Sequence, residues 1–234
     1  MKHRIVEYAI DYLGEDGRRR GQETCTLSVH ADGRRTLRAR SEIFDSEVLR
    51  DVVQTVDREF RPVDALVRVS VKDRTVGTAF FRFEADHAEC EAFTSAEGRL
   101  SQRLPLPRRA VSFISHAVSG DVWHGAGIER TDGIGPQPLE PVLSCSPLHN
   151  GASGPSLVRW PLRAHWLGTE TIEVPAGRFL AEHIRYEEPN GDLFLDTWCT
   201  ADGDRIMLRM FYPPYRSSYL LRTWTRSALS LIHI

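Results

Sequence analysis

The 234-residue sequence predicts an all-β protein: one large curved antiparallel sheet, one or two short helices and a long lid loop. Three observations carry that expectation. Most of the chain divides into short runs in which apolar and polar residues alternate, and a period of two puts one set on a core face and the other in water. Glycine, aspartate and proline turns separate these runs. The clearest case is Trp160–Tyr186, read as two strands closed at Pro175-Ala176-Gly177. Ile172 and Val174 alternate with Thr171 and Glu173 in one arm, and Leu180, Ile184 and Tyr186 alternate with polar residues in the other. Gly177 can take a positive φ there, and Pro175 fits only at the strand's edge.

Taken in order, Arg4 to Leu13 reads as the first strand, with Val6, Tyr8, Ile10 and Tyr12 on one face. Glycine turns at Gly14–Gly17 and Ala31–Gly33 lead into strands at Gly21–Val29 and Thr36–Phe44. Ser46 to Val56 fits two templates. Val48, Leu49, Val52, Val53 and Val56 would share a helical face, yet the β-branched run Val52–Val56 inside an all-β context favours a strand. Val63–Lys72 and Thr75–Glu84 form a hairpin around Asp73-Arg74, and Glu89–Ser95 and Arg99–Leu104 another around Glu97-Gly98. From Ala110 a short helix is expected, ended by Ser119-Gly120-Asp121. The Gly- and Pro-rich stretch between Gly125 and Pro161 carries few charges, so it is expected to be an ordered lid or crossover. Strands at Leu193–Cys199, Arg205–Phe211 and Ser218–Trp224 finish the sheet. One domain is expected over residues 1–228: a meander (1–109), a helix and lid region (110–161) and the C-terminal strands (162–228).

Composition bounds the function classes. The chain is 41% hydrophobic and 26% charged with a formal charge of -2, so no global field points to nucleic acid. Clusters such as Arg18-Arg19-Arg20 flank turns and read as solvated hairpin tips. No apolar run is long enough to span a membrane. No signal peptide is recognisable, so a cytoplasmic location is expected, with Cys25, Cys90, Cys145 and Cys199 as thiols. The final LSLIHI, residues 229–234, looks like a translated sequencing adapter and is expected to be an artefactual tail. Nothing in the sequence sets the oligomeric state.

The second half resembles bacterial β-sheet proteins of unknown function related to the lipoprotein carriers LolA and LolB. Gly168-Thr-Glu-Thr-Ile172, Pro175-Ala-Gly-Arg-Phe179, Ile184 with Tyr186, Thr197-Trp-Cys199 and Tyr219-Leu-Leu221 carry the resemblance, which covers about residues 162–224. It implies a half-barrel with an apolar concave face. It transfers no catalytic residue.

No dinucleotide, P-loop, H-E-x-x-H, nucleophile-elbow or paired Cys-x-x-Cys motif occurs, so no cofactor is expected. His116 and His149 are candidate acid–base groups with Asp121 or Asn150 as orienting partners, because histidine suits proton transfer near neutral pH. The alternative is that these histidines, and His124, satisfy loop carbonyls or face solvent. A zinc site from His116, His124, Cys145 and His149 is chemically conceivable but unsupported by spacing, and no metal is assigned. Trp123, Trp166, Trp198, Tyr212 and Tyr215, with Arg205 as a polar anchor, are candidate ligand-lining residues; core packing is the alternative for each aromatic. Asp196 and Arg205 could equally form an exposed cross-strand pair. The leading expectation is a protein that binds an apolar small molecule, acyl or aromatic, in the concave face. The alternative is a cofactor-independent lyase or hydrolase that uses the loop histidines.

Overall fold

A computed structural model describes residues 3–189, 191 and 194–228; the expected tail at 229–234 and the expected strand start at Leu193 lie outside them. Strands β1 (Arg4–Leu13), β2 (Arg19–Val29), β3 (Arg35–Ile43), β4 (Val48–Val56), β5 (Pro62–Val71), β6 (Arg74–Phe83), β7 (His87–Thr94) and β8 (Gly98–Pro105) form a continuous antiparallel meander. The ambiguous segment is strand β4, paired along its length with β3 and β5. Its inward residues Val48, Val52 and Val56 are buried. Lys72 and Asp73 make the β5–β6 turn with φ values of 51° and 57°, one residue before the expected turn. Two consecutive positive values match the twist of a tight hairpin.

The region that follows departs from expectation. Ser112–Ile114 is a short strand, β9, and the helical part is a 3-10 turn at Val118–Trp123. Ser119-Gly120-Asp121 therefore lies inside the helical turn and does not end it. β10 (Gln137–Leu139), β11 (Val142–Ser144) and β12 (Val158–Arg159) punctuate the Gly/Pro-rich stretch, and β9, β11 and β12 form a small second sheet. The lid is thus an ordered layer.

β13 (Leu162–Val174) and β14 (Gly177–Glu187) are the expected hairpin, with Gly177 at φ 131°. β15 (Phe194–Thr200), β16 (Met207–Tyr212), a 3-10 turn at Pro213–Tyr215 and β17 (Ser217–Ala228) follow. One part of the hairpin expectation is corrected. Ile184 and Tyr186 are buried, but Leu180 is 59% exposed and its neighbour Ala181 is buried. Beyond the bulge between Trp166 and Gly168 the inward set changes, so that Val174 and Ala181, with Ile172 and Phe179 packed beside them, face the main core in place of Leu180.

β17 pairs with β1, so the C-terminal strands precede the meander in space: β10-β13-β14-β15-β16-β17 and then β1 through β8. β8 and β10 stand at opposite ends of this 14-stranded order, and the curved sheet stays open between them. The lid is fastened to the sheet's inner face. Gln102 on β8 accepts the Leu157 N–H at 2.7 Å, and Gln54 on β4 accepts from Ser115 Oγ at 2.6 Å. No helix among the described residues is long and apolar enough to cross a membrane.

Candidate functional site

The inner face is less apolar than the resemblance implied. Strand alternation aims Glu23 (β2), Ser41 (β3), Arg50 and Gln54 (β4) inward, and all four are buried. Each meets part of the lid or another buried donor. The Glu23 carboxylate accepts the Val118 and Ser119 N–H groups at 3.0 and 2.9 Å, Tyr12 Oη at 2.8 Å and Ser41 Oγ at 2.7 Å. A buried carboxylate is tolerated only when its lone pairs are filled in this way. Arg50 donates through Nη1 and Nη2 to the carbonyls of His116 and Asn150, each at 2.6 Å. Gly151 makes that approach feasible: a Cβ there would stand 2.6 Å from His116 Cγ and 2.7 Å from Arg50 Nη2.

Between these latches and strands β14–β17 lies a cavity of ≈ 460 Å³. Tyr12, Tyr186, Met210, Tyr212, Tyr215 and Tyr219 contribute from the sheet and its turn, with Ile114, Trp160 and Leu162 from the lid side and the start of β13. Tyr12 and Tyr219 meet edge to face at 4.7 Å, and Tyr212 and Tyr215 at 5.1 Å. The polar part of the wall brings together His116, His149, Asn150, Asp121 and His124. Both His116 and His149 stand edge-on to Trp160, at 6.4 and 4.9 Å. Burial, with Arg50, His149 and His124 adding like-charge repulsion, holds the His116 imidazole well below its usual pKa, so it is neutral at pH 7. Burial also raises the Asp121 carboxyl, against the opposing pull of His124.

Ser112, His124 and Asp121 form a hydrogen-bonded chain, with Ser112 Oγ on His124 Nδ1 and His124 Nε2 3.3 Å from Asp121. The order mimics a hydrolytic triad, but Ser112 is buried on β9 and does not border the cavity. A nucleophile needs access to substrate. The chain therefore positions Asp121 and does not create an attacking serine.

The structure places the sequence-selected residues in two groups. His116, His149, Asp121, Asn150, Tyr212 and Tyr215 share the cavity wall. Trp123, Trp166, Trp198 and Arg205 do not, and their assignment to it is corrected. Trp123 is buried against Phe60. Trp166 packs beside a small cluster around Ile184 and Tyr186. Trp198 stacks on His183 at 4.1 Å and donates to Glu170. Arg205 is buried and donates to Glu182 at 2.6 Å. Asp196, one of the two residues read as a cross-strand pair, is instead buried and held by Arg185 and His183. Hydrogen bonds from those two outweigh burial and lower its pKa.

All four cysteines are buried. Burial pushes the Cys145 thiol up to about 12. Among the described residues no group of three or more His, Cys, Asp or Glu side chains is arranged to hold a metal ion. Arg50, Trp160, Tyr12, Tyr186 and Tyr219 were missed from sequence. For Arg50 a signal existed: a charged residue at the inward position between Val48 and Val52.

No family model and no curated protein matches the chain. A solved structure does: a β-barrel-like protein of a domain of unknown function, DUF1849, from Brucella abortus. It superposes with a TM-score of 0.55 at 9% identity, covering 96% of this chain and 97% of that one. This likeness is one of fold. A protein described as exported, with a YmcC-like fold, from Bacteroides fragilis matches at TM-score 0.30 and 7% identity, covering 95% of each chain. One described as a lipoprotein, from Parabacteroides distasonis, matches at 0.31 and 7%, covering 96% of each. At those scores neither carries an argument about fold or function. The expected cytoplasmic location is corrected, because proteins matched here are described as exported and as a lipoprotein, and no location is assigned to this chain.

Proposed function

We propose that the protein binds an apolar small molecule, acyl or aromatic, in the cavity between the lid and the inner face of the sheet. The observation that carries this reading is the aromatic wall itself, a space of ≈ 460 Å³ bordered by five tyrosines and Trp160. Its size falls within the range of small-molecule pockets, which are mostly apolar with a few placed polar groups. A second reading rests on the neutral His116 beside His149, Asp121 and Asn150: a cofactor-independent lyase or hydrolase acting on such a molecule by acid–base chemistry.

Native mass spectrometry of the wild type beside a His116→Ala/His149→Ala variant separates the two. The same bound mass in both forms, or equal uptake of an added long-chain alcohol, supports binding without turnover. A molecule that accumulates only in the variant supports the enzyme. No co-purified mass and no uptake of the alcohol would overturn the binding reading.

A further inference from the structure

Arg50 is the residue in the cavity whose chemistry is incomplete. It sits on the inward face of β4 with 2% of its surface exposed, and it borders the cavity. Its two terminal nitrogens donate to carbonyls, which are neutral. Its Nε–H is buried and has no partner, and among the described residues no carboxylate forms an ion pair with it. The other deeply buried arginine, Arg205, has Glu182 as a counter-ion at 2.6 Å. A buried guanidinium without an anion is costly, because carbonyl dipoles replace only part of its hydration.

The carboxylates on the same wall do not relieve it. Asp45 is held by Arg20 at 2.8 Å, Asp121 by His124 at 3.3 Å, and Glu187 by Arg163 at 3.4 Å; Glu188 completes the set and makes no ion pair with Arg50. The neighbouring His116 is neutral and supplies no negative charge. Arg50 thus brings a cation without a carboxylate partner to the wall of the cavity, with an unpartnered N–H and a guanidinium suited to carboxylate or phosphate oxygens.

Resting on the binding function above, we propose that the molecule held in the cavity is an amphiphile with an anionic head, a carboxylate or phosphate, and that Arg50 is its counter-ion. The head pairs with the guanidinium beneath the lid, and the apolar part lies among Tyr12, Tyr212, Tyr219 and Trp160. Because Arg50 also holds the His116 and Asn150 carbonyls, the lid backbone and the ligand head share one cation.

Isothermal titration calorimetry of the full chain with decanoate, decyl phosphate and decanol tests this. These probes share a tail and differ in the head. At least one anion is expected to bind about 30-fold or more tighter than decanol, the low end for pairing a desolvated charge. Which anion wins assigns the head as carboxylate or phosphate. Arg50→Gln should abolish the preference for the anion over decanol, read as the ratio of the two affinities within the variant, because loosening of the lid carbonyls it also holds affects both probes alike. Arg50→Lys, which keeps the charge, should retain part of the preference. Decanol equal to both anions on the wild type would overturn the proposal and leave the apolar-binding function standing, whatever the variants do. A preference that survives in Arg50→Gln would also overturn it. Binding of none of the three would remove the binding function and this proposal together.

Discussion

His116 shows what a single enclosed side chain does to the molecule. Its backbone stands at φ 59°, its carbonyl accepts from Arg50, and its ring is held neutral by burial and by the nearby Arg50 guanidinium. The unfolded imidazole titrates near 6.5, whereas the folded one does so well below it. As pH falls through 6.5 the unfolded chain takes up a proton that the native chain does not. Stability is therefore full above about pH 6.5 and falls below it, by up to about 1.4 kcal/mol per pH unit from this group. Asparagine tolerates positive φ, so His116→Asn should fold and should flatten that slope. Urea midpoints between about pH 7.5 and 5.5 read the difference; parallel slopes in the two proteins would contradict the neutral, enclosed imidazole. At this scale the sequence was partly legible. Residue type pointed to His116, His149, Asp121 and Asn150, and the fold does bring them to one wall. Periodicity gives a residue's face but not its distance from a site, so Trp198 and Arg205 could not be separated from Tyr212 and Tyr215. Arg50 was discernible only once β4 was known to be a strand, because its inward position follows from alternation with Val48 and Val52.

At the scale of elements, the strands were readable, and the lid was readable as an ordered segment but not in its internal structure. Alternation is a local signal, and β1 to β8 fall within a few residues of the expected bounds. The 3-10 turn at Val118–Trp123 has a distant cause, since the N–H groups at its start are satisfied by Glu23, 95 residues earlier. No window of sequence around Ala110 contains that partner. Glu23→Gln tests the latch. A glutamine offers one acceptor oxygen in place of two, so at least one of the four donors loses its partner, at a cost of about 1–3 kcal/mol. Hydrogen exchange at the Val118 and Ser119 amides should accelerate, while exchange in β5 to β7, which make no hydrogen bond with the Glu23 carboxylate, should stay as in the wild type. Unchanged protection at both amides would mean that Glu23 does not hold the turn at Val118–Trp123.

For the whole molecule, the consequential feature is the pairing of β1 with β17. Arg4 lies opposite Ala228 and Leu13 opposite Ser218, so strands some 200 residues apart in sequence are neighbours in the middle of one sheet. β1 in turn pairs with β2, and its inward residues Val6, Ile10 and Tyr12 belong to the same buried cluster as Phe81 of β6, Phe113 of the lid and Met207 of β16. A core drawn from all three sequence regions gives none of them an apolar interior of its own. The meander of residues 1–109 and the strands of 162–228 are therefore expected to unfold as one unit. Closing so long a loop before the central pairing forms also makes folding slow, with refolding expected on the scale of milliseconds to seconds or longer. Denaturation followed by far-ultraviolet circular dichroism reports the strands throughout. Tryptophan fluorescence reports mainly the later part of the chain, since Trp123, Trp160, Trp166, Trp198 and Trp224 all lie beyond residue 110. Coincident transitions by the two probes are the expected result. A fluorescence transition that precedes the circular dichroism transition would show that the C-terminal strands and lid leave the meander folded behind them, and the chain would then be two cooperative units sharing a seam at β1 and β17.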